Sequence, residues 1–230
     1  MKGVLFDLDG VIADTSVYHF QAWRKLIKDH FNRDLPDELE KQTKGVSRKD
    51  SLTAILNYLD IKVSDADFQE MTDEKNKVFR ELLASLTPQN ILPGISDIIS
   101  QFKQHDVKLS LASASLNGPY ILEKLQLNSV FDAIADPSKV AAGKPAPDIF
   151  LAAASAINVD LKDCVGIEDS IAGIKAINKA GALSVGVGAK NELSEAKLLF
   201  PDTSALNYDQ IESAWEEFKK LNRPFEIEKT

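Results

Sequence analysis

Lys2-Gly3-Val4-Leu5-Phe6-Asp7-Leu8-Asp9-Gly10-Val11 lies at the start of the chain and decides its fold. Val4–Phe6 is a short apolar run that ends in two carboxylates one residue apart, followed by glycine. In an extended strand residues i and i+2 face the same way, so Asp7 and Asp9 can reach one small volume at the strand's end. Two carboxylates that close repel each other unless a cation lies between them or one binds a proton. That tension suits phosphoryl transfer, in which one aspartate attacks phosphorus, the other carries the proton and Mg2+ balances the charge. Taken alone, the same residues also read as a solvated Asp-x-Asp-Gly turn or a calcium loop.

Four further apolar runs read as buried strands: Val107–Ala112, Ala133–Ala135, Val165–Ile167 and Ser184–Val187. Helical patterns separate most of them, which predicts an α/β fold, a Rossmann-like parallel sheet with helices on both faces. Ile95–His105 carries apolar residues at a helical period, Pro147–Ile157 opens with proline, and Ser170–Ala180 follows Asp169 and stops at Gly181. The segment 15–86 differs, because it contains no strand. Val17, Phe20, Trp23, Leu26 and Ile27 share a helix face, and Ser51–Leu59 and Ala66–Leu83 also read as helices. The expected organisation is therefore a discontinuous α/β core, 1–14 and 87–222, with a helical domain at 15–86. That insert follows the Asp7–Asp9 loop directly and would stand over it like a lid. Residues 223–230 receive no assignment.

The 230 residues carry a net charge of −8, which leaves no broad basic face for nucleic acid or an anionic membrane. An anionic substrate must then be met by a few cations gathered locally. The single cysteine, Cys164, lies in an apolar run and reads as a buried structural thiol, so no intrachain disulfide can form. No apolar stretch approaches the ~20 residues of a membrane span, and Asp7 and Asp9 interrupt any signal-peptide pattern at the N-terminus. A cytoplasmic location is the expectation.

Ligands of open parallel sheets bind beyond the carboxyl ends of the strands. Read in order, those ends supply Asp7 and Asp9, then Ser113-Ala114-Ser115 with Asn117-Gly118, then Gly143-Lys144-Pro145, then Glu168-Asp169-Ser170. These are the parts of a phosphoryl-transfer site: nucleophile, oxygen-binding donors, cation and metal seat. Singly, each has a plainer reading. Ser113 serves as a turn hydroxyl, Lys144 as a solvated lysine, and Glu168-Asp169-Ser170 as a helix start where acids favour the dipole. Their coincidence at neighbouring strand ends weakens those readings together.

The set Asp7-Leu8-Asp9-Gly10-Val11, Ser113, Lys144-Pro145 and Glu168-Asp169-Ser170 resembles the haloacid dehalogenase superfamily, and a helical insertion after the first motif resembles its small-cap type. The resemblance implies that Asp7 is the nucleophile forming an aspartyl-phosphate and Asp9 the general acid/base. It implies Mg2+ held by Asp7, the Asp9 main-chain carbonyl and Asp169, with Glu168 in or near that shell. Ser113 and Lys144 would bind the transferring phosphoryl group.

The lid carries Asp14-Thr15, His19, Trp23, Lys44-Gly45-Val46-Ser47-Arg48, Ser51 and Lys75. By residue type alone, Trp23 reads as packing, His19 as structural, and Lys44 and Arg48 as solvated. Together with Ala112-Ser113-Ala114-Ser115-x-Asn117-Gly118, however, these stretches are similar to the β-phosphoglucomutase family within that superfamily. This implies interconversion of β-D-glucose 1-phosphate and glucose 6-phosphate, with β-glucose 1,6-bisphosphate as primer and intermediate. The Lys44–Ser51 loop, including Gly45, Val46 and Ser47, would bind the sugar. Arg48, Ser115 and Asn117, beside Ala114, would hold the non-transferring phosphate. His19 and Lys75 would couple lid closure to the engagement of Asp9. Two positions depart from expectation. Leu116 stands where the family often carries lysine, and Thr43 precedes the sugar loop. A sugar-phosphate phosphatase and a non-catalytic sugar-phosphate-binding protein are the alternatives, and a monomer acting on small-molecule sugar phosphates is expected.

Overall fold

A computed structural model describes residues 1–221; the segment 222–230, which contains the unassigned tail, lies outside the described residues. The first strand, β1 (Gly3–Phe6), is fully buried and sits in the middle of a six-stranded parallel sheet. Burial on both faces explains why it is apolar throughout and not alternating. It is flanked by β2 (Lys108–Leu111) and β4 (Cys164–Glu168), with β3 (Ala133–Ile134) outside β2 and β5 (Leu183–Val187) and β6 (Leu198–Phe200) outside β4. The five expected strands are present, with ends shifted by a residue or two. The edge strand β6 escaped the sequence reading because three residues before a proline, two half-exposed and Phe200 buried, give no periodic signal.

Helices α5 (Ile95–Gln104), α6 (Gly118–Lys124), α7 (Asp148–Ala156), α8 (Ile171–Ala180) and α9 (Tyr208–Leu221) complete the core. Helix α9 buries Ile211 and Trp215 in the same apolar cluster as Val4 and Phe6. The start of α8 is set locally. Ser170 Oγ accepts a hydrogen bond from the Gly173 amide at 3.0 Å, and Gly181 closes the helix in the left-handed conformation.

Between β1 and α5 run α1 (Ser16–Phe31), a short α2 (Glu40–Thr43), α3 (Arg48–Leu59) and α4 (Asp65–Leu83). Ser47 and Ser64 cap α3 and α4 by accepting from Asp50 N and Asp67 N. Phe20, Trp23, Leu26, Ile27, Leu52, Ile55 and Met71 form an apolar cluster contained within this segment, so the insert has a centre of its own. Ala22, Phe79 and Leu83 join the sheet's cluster and tie the insert down. Val17 does not share the buried face expected of it, being 37% exposed at the helix start.

Candidate active site

Strand register brings the first carboxylates together. Phe6 pairs with Ile167 of β4, and the Asp7 amide donates to Ile167 O at 3.0 Å, so Asp7 lies beside Glu168 at the sheet's carboxyl edge. Two buried carboxylates side by side need a cation. Lys144 supplies it: Nζ lies 2.7 Å from Asp7 Oδ1 and 2.6 Å from Glu168 Oε1, with both the ammonium side chain and that of Glu168 wholly excluded from solvent. Burial works against a charged Lys144, yet Asp7 and Glu168 hold its pKa above the ordinary lysine value. Burial also pushes the Asp7 carboxyl well above the usual carboxylate range, with Lys144 pulling the other way. The second oxygen of Glu168 accepts from the Asp169 and Ser170 amides and the Ser170 hydroxyl, which fixes Glu168 as the anchor of Lys144.

Asp7, Glu168 and Asp169 each present a ligand atom within 4.8 Å of the others. The donor set suits a hard cation such as Mg2+. One detail tests the fit. Asp169 Oδ1 is buried with no hydrogen-bond partner, an unmet acceptor of the kind a cation satisfies. Its other oxygen pairs with Lys44 Nζ at 2.7 Å. Burial lifts the Asp169 carboxyl to about 7 despite Lys44. Gly10 has a φ of +86°, and a Cβ there would lie 1.7 Å from Asp169 Oδ2, so only glycine lets the first loop pass this carboxylate.

Asp9 faces the other way. Its Oδ1 accepts from Thr15 Oγ1 at 2.5 Å and lies 3.6 Å from His19 Nε2. Burial opposes its charge, but His19 and Thr15 prevail and hold the carboxyl below its ordinary value. His19 Nδ1 lies 2.6 Å from Lys75 Nζ, and the imidazole stacks on Phe79. The Lys75 ammonium sits over Trp23 and Phe79, 5.0 and 4.5 Å from the ring centres. Burial, reinforced by Arg48, brings its pKa down to about 7. His19 is likewise lowered by burial and by Lys75.

A cavity of about 1060 Å³ lies between the sheet edge and the insert, and Asp7, Asp9, Lys144, His19, Trp23, Lys44, Gly45, Val46, Ser47, Arg48, Ser51, Lys75, Ala114 and Ser115 all line it. Gly45, at φ +74°, lies so near Ser170 that a Cβ would meet its Oγ at 2.2 Å, which places the Lys44–Arg48 loop directly against the core. Ser51 Oγ donates to Ser47 O at 3.0 Å, and Thr43, also in the wall, turns its hydroxyl back to Glu40 O. Leu116 lines the cavity and is 56% exposed, an apolar side chain where a cation would reinforce an anion site.

Ser113 Oγ accepts from the Ser115 amide at 3.0 Å and Ser115 Oγ from the Asn117 amide at 3.2 Å. The turn reading of Ser113 therefore holds and Ser115 behaves the same way, and accepting these bonds leaves each hydroxyl proton to donate. Ser113, Glu168, Asp169 and Asn117 stand behind the cavity lining. Asn117 directs its amide nitrogen to Asn76 Oδ1 at 2.9 Å. Asn76 gave no signal in the sequence, since an asparagine in an amphipathic helix reads as surface. Thr15 and Ser170 belong to quoted motifs, but their contacts with Asp9 and Glu168 depend on the folded chain.

Residues 1–181 match the model of the haloacid dehalogenase-like hydrolase family. The chain is 42% identical over 224 residues to a Bacillus subtilis β-phosphoglucomutase, covering 95% of this chain and 97% of that protein. It is 31% identical over 202 residues to a Thermotoga maritima phosphorylated carbohydrates phosphatase, covering 86% and 90% of the two chains. The crystal structure of a Clostridium difficile β-phosphoglucomutase superposes with a TM-score of 0.92 at 39% identity, over 95% of this chain and 98% of that one. With a parallel sheet that carries Asp7, Lys144 and Asp169 at one edge beneath a helical insert, the chain belongs to the β-phosphoglucomutase family of isomerase-class phosphotransferases, within the haloacid dehalogenase-like fold.

Proposed function

We propose that this enzyme interconverts β-D-glucose 1-phosphate and glucose 6-phosphate through an aspartyl-phosphate on Asp7 and a β-glucose 1,6-bisphosphate intermediate, with 15–86 acting as the cap over a core of 1–14 and 87–222. The observation that carries the reading is the tethering of Asp9 to the helical insert by Thr15 and His19. A general acid/base held by the cap is complete only when the cap is on the site, which favours a bound sugar over solvent as acceptor.

Asp7 attacks phosphorus of the bisphosphate, its oxygen–phosphorus bond forms, and the bond to the sugar oxygen breaks while Asp9 donates a proton to that oxygen. Glucose 6-phosphate leaves, and in the return step Asp9 takes the proton of the 6-hydroxyl of an entering β-glucose 1-phosphate, whose oxygen attacks the same phosphorus, breaks the bond to Asp7 and re-forms the bisphosphate. Lys144 offsets charge at the aspartyl-phosphate, and Ser113 donates to a phosphoryl oxygen. Mg2+ bound by Asp7, Asp169 and the Asp9 carbonyl, near Glu168, would supply charge that favours ionised Asp7 and neutralises the phosphoryl oxygens. Arg48, Ser115 and Asn117 would hold the non-transferring phosphate.

Phosphorus NMR of the protein with Mg2+, a trace of bisphosphate and each glucose 1-phosphate anomer in turn tests the reading. Glucose 6-phosphate from the β anomer alone, dependent on the primer, is the expected result. Steady release of free phosphate would instead make the protein a phosphatase, as the Thermotoga relative is named.

A further inference from the structure

The geometry points to Asn76 as the residue that assembles the site for the non-transferring phosphate, by orienting Arg48 from the cap and Asn117 from the core with one amide oxygen. This rests on the phosphate-holding role proposed above for Arg48 and Asn117. Asn76 Oδ1 accepts from Arg48 Nη2 at 2.8 Å and from Asn117 Nδ2 at 2.9 Å. An amide oxygen has two lone pairs, so both are in use. Arg48 opens α3, Asn76 belongs to α4, and Asn117 precedes α6 after β2. One atom thus ties two insert helices to a loop of the sheet.

The neutrality of Asn76 matters as much as its position. Arg48 Nη1 lies 3.5 Å from Thr72 O, one turn before Asn76, so both partners of the guanidinium are uncharged. Among the described residues no carboxylate lies within 4.0 Å of Arg48; the group is half-buried, and burial lowers its pKa while Asp73, farther off, opposes that shift without pairing to it. A carboxylate at position 76 would orient the guanidinium equally well and cancel its charge. An amide orients it and leaves the charge for a dianion. In a protein of net charge −8 whose neighbouring Lys75 has its pKa lowered to about 7, such an uncancelled cation is scarce. Asn76 is a positioning residue: it stands behind Arg48, Thr72 and Lys75, which line the cavity.

The test compares Asn76→Asp and Asn76→Ala with wild type in two reactions: mutase turnover of β-glucose 1-phosphate, and phosphorylation of Asp7 by acetyl phosphate, which has no second phosphate. For Asn76→Asp, KM for β-glucose 1-phosphate should rise by about tenfold or more, as expected for losing a charge-assisted contact, with kcat changing less. Asn76→Ala should raise KM by a smaller factor, about threefold. In both variants the loss with the sugar phosphate should exceed the loss with acetyl phosphate by at least about fivefold. Equal losses in the two reactions, or an Asn76→Asp protein whose KM stays within about twofold of wild type, would overturn the assignment. Wild-type protein without mutase turnover would instead sink the proposed function, which keeps the two failures apart.

Discussion

Asp7 and Asp9 are two residues apart and line one cavity, yet they belong to opposite electrostatic regimes. Asp7 sits on the sheet side, where Lys144 and Glu168 form a closed set of buried charges whose oxygens and ammonium are matched at 2.6 and 2.7 Å. Asp9 sits on the insert side, where Lys75 is buried against aromatic rings and a histidine with no carboxylate within ion-pair distance among the described residues. Burial raises the pKa of Asp7 and, with Arg48, lowers that of Lys75. On the sheet side one acceptor, Asp169 Oδ1, stays unmet beside this set, where a cation would satisfy it. On the insert side Lys75 and Arg48 have no carboxylate within ion-pair distance among the described residues, which suits the sugar-phosphate site proposed above.

The sharpest way to break the contrast is Asp7→Asn. If the sheet side carries the covalent step, mutase turnover should fall on the order of 10⁴-fold or more in a steady-state assay. Folding stability should hold or rise, because burial disfavours the lost charge. Undiminished turnover would remove Asp7 from the chemistry. Lys144→Met probes the matched set itself. It strands two buried carboxylates and should cost about 3–5 kcal/mol in urea denaturation. Adding Glu168→Gln should recover part of that loss, whereas strictly additive effects would show that the three groups do not act as a unit.

Lys75→Met tests the cap side through pH. The unfolded chain keeps the lysine proton up to its ordinary value of 10.5, while the folded protein releases it near 7. Between those values unfolding takes up a proton, so wild-type stability should rise with pH across that window. The methionine variant should lack this rise and should be most favoured over wild type below pH 7. Parallel stability–pH curves for the two proteins would place Lys75 in a better-solvated setting than the one described. The smallest effect is expected from Ser170→Ala, which removes the cap of α8 and one of three donors to Glu168 Oε2. About 1 kcal/mol of stability should be lost with turnover little changed; a loss confined to turnover would show that Ser170 acts on the chemistry and not on Glu168's support.

Much of the fold was legible because its signals are local. Apolar runs at 4–6 and 165–167, the proline before α7 and the glycine after α8 each fix a boundary through neighbours in sequence. β6 and α9 were not read, since a three-residue edge strand has no period and α9 acquires its meaning from Ile211 and Trp215 docking on the sheet. Val17 fits the helical stripe and still faces solvent, because the stripe begins before the insert's apolar centre does. Within the candidate site the groups proposed to react stood out as motifs. The supporting groups did not. Asn76 is an ordinary helix residue until Arg48, 28 positions away, and Asn117, 41 positions away, converge on it.

The sequence by itself determined the chemistry available at the strand ends, because alternation along a strand and capping at a helix start are written in a few adjacent residues. Only the tertiary structure decided which charge meets which. Asp7 is paired with a lysine 137 residues away, Asp169 with one from the insert, and Lys75, among the described residues, with no carboxylate within ion-pair distance. Coulomb attraction and the penalty of burial depend on separation and solvent exclusion, and both are properties of the folded chain.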